Sequence, residues 1–303
     1  MSDTTASLRR KIGSAGDLQS VVRTMKAVAA SSIGQYENSV RALADYDRTV
    51  ELGLRICFRS STPAVAMTDG RKRGGAASIG AVVFGSDQGL VGQFNDAVAD
   101  FGAKTLAALP GNPQVWAVGE RVHGRLSDAG LPPVGLFAVP NSVKAITPLV
   151  GQILLASETH HGQGAVGELH LFYNRPISGA VYAPVNQRLL PLDESWRREL
   201  AERPWPPGNL PEVVGGDTET LRALIREYLF VSIFRACAES LASENASRLA
   251  AMRRADKNID ELLKALNGSF LRMRQSGIDE ELSDVISGFE ALSVPRRPRA
   301  QPG

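Results

Sequence analysis

Ala236-Cys-Ala-Glu-Ser-Leu-Ala-Ser-Glu-Asn-Ala-Ser-Arg-Leu-Ala-Ala251 lies inside a window, Glu212 to Val294, that contains no proline. Its small side chains let two backbones approach closely, and nothing in it breaks a helix. Working outward, Leu221, Leu224, Tyr228, Val231, Phe234, Leu241, Leu249, Met252, Ile259, Leu262, Leu266, Phe270, Met273, Val285, Phe289 and Leu292 recur mostly at three- and four-residue steps. That is the spacing of one apolar helix face. Asp217 or Thr218, after Gly215-Gly216, is the expected N-cap, with Glu219 at the positive helix end. A helix from 217 to 292 would run ~114 Å.

The other end of the chain has the same character. Met1 to Thr62 is also free of proline, and all 17 prolines lie between Pro63 and Pro211 or from Pro295 onward. An internal proline costs a helix about 3 kcal/mol, so both windows predict uninterrupted rods. Alternating steps of four and three from Leu8 reach Ile12, Ala15, Gln19, Val22, Lys26, Ala29, Ile33, Tyr36, Val40, Leu43, Asp47, Val50 and Leu54. The polar exceptions Gln19, Lys26 and Asp47 sit beside Leu18, Met25 and Tyr46. The result is an interrupted coiled-coil seam, and a helix over 6–58 would run ~80 Å. Gly13 and Gly16 weaken its start and are candidates for close packing. A long helix is stabilised mainly by packing, so each rod needs a partner. Rods at opposite ends of one chain pair by folding back, and the far end of the longer C-terminal rod is expected to protrude or be gripped by another protein.

The middle predicts alternating strands and helices. Strands are expected at Ser78–Gly85, Val115–Gly119, Val134–Val139, Val166–Tyr173 and Gly179–Val185. Helices are expected over Phe94–Leu109, Arg121–Ala129 and Ile146–Thr159. Such alternation indicates a largely parallel sheet. The fold class is therefore α/β: a long antiparallel coiled coil of N- and C-terminal helices with an inserted α/β (Rossmann-like) domain. The segmentation is 1–62 for the first coiled-coil helix, 63–212 for the α/β domain with flanking linkers, 213–294 for the second helix and 295–303 for a basic, proline-rich tail. Linkers are expected at Met67–Ala77 and Pro204–Gly216.

Composition narrows the function. The 303 residues carry a net charge of only +2, too little to argue for nucleic acid. No apolar run approaches the ~18 residues of a membrane span, and the N-terminus has no signal-peptide core. Cys57 and Cys237 are too few for a disulfide framework or zinc site and suit a reducing cytoplasm. Gly85-Ser-Asp-Gln-Gly-Leu-Val-Gly92 stands where a phosphate loop would, but it gives neither G-x-G-x-x-G nor a P-loop. A glycine-rich strand-to-helix turn is the plainer reading. Of His123, His160, His161 and His170, the adjacent pair ends an expected helix. No catalytic constellation is visible, and neither cofactor nor metal is implied.

Three blocks resemble the gamma subunit of F-type ATP synthases. Leu8-Arg-Arg-Lys-Ile followed by Leu18-Gln-Ser-Val-Val-Arg-Thr-Met-Lys-Ala-Val-Ala-Ala-Ser is similar to the family's N-terminal helix. Glu239-Ser-Leu-Ala-Ser-Glu-Asn-Ala-Ser-Arg-Leu-Ala-Ala-Met, Asp256-Lys-Asn and Arg274-Gln-Ser-Gly-Ile-Asp-Glu-Glu-Leu resemble its C-terminal helix. Ser86-Asp-Gln-Gly-Leu-Val-Gly-Gln-Phe-Asn resembles its S-D-R-G-L-C-G-x-x-N. The blocks occur in the family's order and span nearly the whole chain. Departures include Asp17-Leu18-Gln19 for N-T-Q, Ala27 for a methionine, Gln88 for an arginine, and Asp256 and Asp279 for threonines. They resemble a divergent branch, with the alternative F-type ATPases thought to move sodium as a candidate.

The resemblance implies a non-catalytic central rotor stalk. Its partners would be the alpha and beta subunits of the F1 ring, the epsilon subunit and the membrane c-ring, at the cytoplasmic face of the bacterial inner membrane. It implies ring contacts at Met25, Arg248, Arg274, Gln275, Asp279 and Glu281, with a charge at Asp279 replacing a hydroxyl. The basic tail is either a solvated end or reaches acidic groups of the ring. A coiled-coil scaffold or tether with an α/β insert is the alternative function, and an enzyme using the Gly85–Gly92 turn is a third.

Overall fold

A computed structural model describes residues 4–60, 78–159, 166–177, 180–205 and 217–293. His160, His161, the Met67–Ala77 linker, most of the second linker and the basic tail lie outside the described residues. Helix α1 (Thr5–Ser60) and helix α6 (Asp217–Ser293) are each continuous. Between them run β1 (Ser78–Phe84), α2 (Phe94–Ala107), β2 (Pro113–Val118), α3 (Glu120–Asp128), β3 (Gly135–Phe137), α4 (Ile146–Thr159), β4 (Val166–Ile177), β5 (Ala180–Leu190) and α5 (Glu194–Glu202). The sheet order is β3-β2-β1-β4-β5; the first four strands are parallel and β5 is antiparallel to β4.

The chain forms two compact units, residues 1–26 with 252–303 and residues 27–251. The sequence segmentation follows elements, whereas packing cuts across both long helices. In the larger unit both faces of the sheet are covered, and this explains its near-continuous apolar strands. Val82, Phe84, Trp116, Val118, Leu171 and Tyr173 pack on one side with α4, Tyr36 of α1, and Ile233, Ala236, Cys237 and Ala242 of α6. Ile79, Ala81, Val83, Val115, Ala117 and Phe172 pack on the other with α2 and α3. The Ala/Ser-rich stretch therefore serves more than a helix pair. Ala236, Ala238, Ser240, Ala242 and Ser243 are buried, and the alanines share the core of the sheet.

The end of the larger unit holds a third cluster, Val50, Leu54, Cys57, Leu200 and Leu221. It uses α5, which the apolar pattern did not reveal. That short helix is set by its cap: the Asp193 carboxylate accepts hydrogen bonds from the Ser195 and Trp196 amides.

Every seam position read on α1 is buried or half-buried. The three polar ones stay in the seam, and two of their apolar neighbours stay outside it: Leu18 is 54% exposed and Tyr46 45%. Across the smaller unit, Lys26 Nζ lies 2.6 Å from Asp256 Oδ2. Arg23 Nε and Gln19 Nε2 donate to Asp256 Oδ1 at 3.3 and 3.4 Å. In the larger unit Arg235 pairs with Asp47. Rising numbers on α1 meet falling numbers on α6 within each unit, so each pairing is antiparallel. Gly13 and Gly16 do not mediate close packing, because a Cβ at either would meet nothing within 4 Å. The close approach is at Gly53, where a Cβ would lie 2.8 Å from Leu224 Cδ2.

Candidate partner-binding surfaces

The turn after β1 is occupied by its own chain. The Ser86 amide donates to Asn95 Oδ1 at 2.9 Å, and Asn95 Nδ2 donates to Ser86 Oγ at 2.8 Å. The Asp87 carboxylate accepts from the Glu120 and Val139 amides, each at 2.9 Å, capping α3 and holding the chain after β3. The Arg121 amide donates to the Ser86 carbonyl. The turn thus uses its own side chains and carbonyl to hold the start of α3 and the chain after β3. Gly85 permits the packing, since a Cβ there would sit 2.3 Å from Val122 Cβ. Leu90 has φ 63°, unusual for a bulky residue, and its side chain is 61% exposed.

Helix α6 is tied to this turn by Ser247, whose hydroxyl donates to the Val91 carbonyl. One residue on, Arg248 Nη2 donates to Glu244 Oε1 at 2.6 Å and Nη1 to Asn245 Oδ1 at 3.3 Å. The Arg248 and Glu244 side chains are 13% and 7% exposed. Burial raises the Glu244 carboxyl above its ordinary value, and the Arg248 charge opposes this. Nearby, Arg175 Nε donates to Glu239 Oε2 at 2.9 Å and its guanidinium covers the Tyr173 ring. Burial, then the Glu239 charge, pushes the Tyr173 hydroxyl up to about 12.

The remaining sequence-derived residues lie in the smaller unit. Met25 is half-buried on α1, one residue before Lys26. Arg274, Gln275, Asp279 and Glu281 fall within about two turns of α6, and every residue from 274 to 289 is exposed. Ile278, Leu282, Val285, Ile286 and Phe289 are 52–74% exposed on that segment. Ile278, Leu282, Val285 and Ile286, four large apolar side chains exposed on one helix segment, mark an interaction surface. Arg248 differs from this group in being nearly buried and hydrogen-bonded to Glu244 and Asn245 of its own helix. Asp256, read from the sequence only as a departure, proves to be the centre of the inter-helix ion cluster. The polar seam positions Gln19 and Lys26 were the signal for it.

Among the described residues no cluster could hold a metal ion, and no helix is long and apolar enough to cross a membrane. Two long helices that share the core of an α/β sheet, and an exposed apolar surface on the C-terminal part of α6, define a partner-binding class of protein. The profile of the family described as "ATP synthase" matches residues 4–292. The ATP synthase gamma chain of Clavibacter sepedonicus is 30% identical over 296 residues, covering 94% of this chain and 96% of that one. The gamma chain from Parafrankia sp. is 28% identical over 295 residues, with the same shares. A chain of the rotor of the Euglena gracilis mitochondrial ATP synthase superposes with a TM-score of 0.59 at 15% identity, covering 90% of this chain and 98% of that one. The central stalk/c-ring structure of the Tetrahymena thermophila enzyme contains a chain with a TM-score of 0.52 at 20% identity, covering 78% and 99%. The chain belongs to the ATP synthase gamma chain family.

Proposed function

We propose that the chain is the central rotor stalk of an F-type ATP synthase, coupling rotation of a membrane c-ring to changes at the nucleotide sites of an alpha–beta ring. It is a non-catalytic subunit. The exposed apolar residues Ile278, Leu282, Val285 and Ile286 of α6 carry this reading at the level of residues: they suit an axle that another protein surrounds. An asymmetric axle cannot meet three like subunits identically, so each is biased to a different state. Moving a site from mostly open to mostly closed takes about 5.5 kcal/mol of differential interaction, and by linkage nucleotide binding biases the axle in return. ATP synthesis and ion transport are then properties of the complex. A scaffold that works without an ATPase partner is not favoured by the gamma-chain relatives.

The finer assignments are part of the same proposal. Met25, Arg274, Gln275, Asp279 and Glu281 contact the ring, and Arg248 acts near it mainly through Glu244. The chain divides at residues 62, 212 and 294 into helix, α/β domain, helix and tail. Epsilon is a further partner, and the complex sits at the cytoplasmic face of the bacterial inner membrane. The experiment is to reconstitute the complex with Arg274→Ala combined with Gln275→Ala. Lower ATP turnover at unchanged stability of the isolated chain is expected. Unchanged turnover and coupling would remove these two residues from the contact.

A further inference from the structure

The α/β domain grips α6 along a face that offers little mechanical hold. From Ala236 to Ala251, Leu241 is the one large side chain that α6 puts into the core of the sheet; Ala236, Cys237, Ala238 and Ala242 supply the rest. Ser240 and Ser243 are buried beside them. Packed helices lock by fitting ridges into grooves. Small side chains make shallow ridges, and apolar contact has no preferred direction. Such a face adheres well but resists weakly a slide along the helix axis or a turn about it.

Two directional links bracket that smooth face. Near its start, Arg175 of β4 donates from Nε to Glu239 Oε2 at 2.9 Å. Farther along, the Ser247 hydroxyl donates to the Val91 carbonyl at 2.5 Å. Ser247 is 8% exposed and Val91 2%. From Glu239 to Ser247 the helix advances about 12 Å and comes round by about 80° beyond whole turns. Two links so placed oppose both slide and turn, which one alone does not. Both anchors are held from inside the α/β domain. The Arg175 guanidinium lies 5.4 Å over the Tyr173 ring and donates to its hydroxyl. The turn bearing Val91 is fixed by the Asp87 carboxylate and by the Ser86–Asn95 hydrogen bonds. A polar group that finds its opposite in a packed interface fixes register.

We propose that Ser247 and the Arg175–Glu239 pair are positioning residues that pin α6 to the α/β domain, so that torque entering α6 reaches that domain without slip. That torque passes through the chain rests on the stalk role above. The test takes two readouts from complexes built on the parent chain, on Ser247→Ala, on Arg175→Met and on the combined variant. One is ATP turnover with the alpha–beta ring off the membrane, where the stalk bears no load. The other is the membrane potential formed per ATP hydrolysed by the membrane-bound complex, followed with a potential-sensitive dye. The combined variant should keep the parent's turnover off the membrane and lose about threefold or more of its yield per ATP, with smaller losses in each single variant. Ser247→Thr, which keeps the donor, should keep the parent's yield; a loss equal to that of Ser247→Ala would remove the hydroxyl as the cause. A parental yield in the combined variant would overturn the pins and leave the apolar core to carry the torque. Turnover off the membrane that fell in step with the yield would also overturn them, reducing both links to ordinary stabilising contacts. A parent chain that gave neither turnover nor potential would instead fail the stalk role, and this proposal with it.

Discussion

At the scale of single residues, the two arginines matched by the family motifs behave as different physical objects. Arg274 is exposed, and any free energy it contributes is contributed in a complex. Arg248 is nearly buried against Glu244. Removing one member of a buried pair leaves the other uncompensated, which costs about 3–5 kcal/mol. Arg248→Ala should therefore lower the urea midpoint of the isolated chain strongly, with no partner present; an unchanged midpoint would return Arg248 to the set of pure contact residues. Asp256 gives a second prediction, with a pH signature. The hydrogen bond from Lys26, then the charges of Lys26 and Arg23, hold its carboxyl below the ordinary value against some desolvation. The folded value is thus lower than the unfolded value of about 3.9. Its stabilisation is complete above the unfolded value and is lost as pH falls through the folded one. Asp256→Asn should be less stable than the parent at pH 7, and the gap should close below about pH 4 and narrow in salt. A gap that stays constant from pH 7 to pH 3 would exclude the ion cluster as its origin.

At the scale of elements, what was legible in the sequence follows from what periodicity encodes. The seam on α1 was readable because Leu8, Ala15, Val22, Ala29 and Tyr36 repeat at the helical period and all face a partner. The central strands were readable because both their faces are buried. Helix α5 was missed because it is nine residues long and owes its start to one aspartate cap. Position in a seam also says more than apolarity: Gln19, Lys26 and Asp47 looked like interruptions, yet a polar side chain in a helix interface fixes register when it finds its opposite. The role of the Ala/Ser-rich stretch was only half legible. Small residues announced a close approach but not the sheet against which Ala236, Ala238 and Ala242 pack. The proposed contact set rests on motif resemblance alone, because an exposed face has no core spacing to distinguish it. Ser247 gave no signal of its own: one serine in an Ala/Ser-rich stretch reads as a small spacer until the carbonyl it meets is known.

At the scale of the whole molecule, the two units differ in how firmly they are held. The larger unit buries three apolar clusters and sandwiches its sheet between helix layers. The smaller unit, among the described residues, buries Leu8, Ala15, Val22, Met252 and Ile259 between two helices and adds the Asp256 cluster. Helices draw most of their stability from packing, and local opening follows the depth of packing and not membership of one continuous helix. Hydrogen exchange along α6 of the isolated chain should therefore be uneven. Amides of residues 231–245 should exchange most slowly, and those of residues 274–290 faster by about a hundredfold or more. Bound within an alpha–beta ring, residues 274–290 should become protected while 231–245 change little. A rod protected equally along its length before assembly would mean that α6 holds itself rigid without the ring. Protection that did not rise on assembly would mean that the bare segment is not what the ring grips. If the expected contrast is found, the free chain supplies a firm base and a weakly held axle tip. The stiffness needed to transmit torque to the tip is then conferred by the ring that surrounds it.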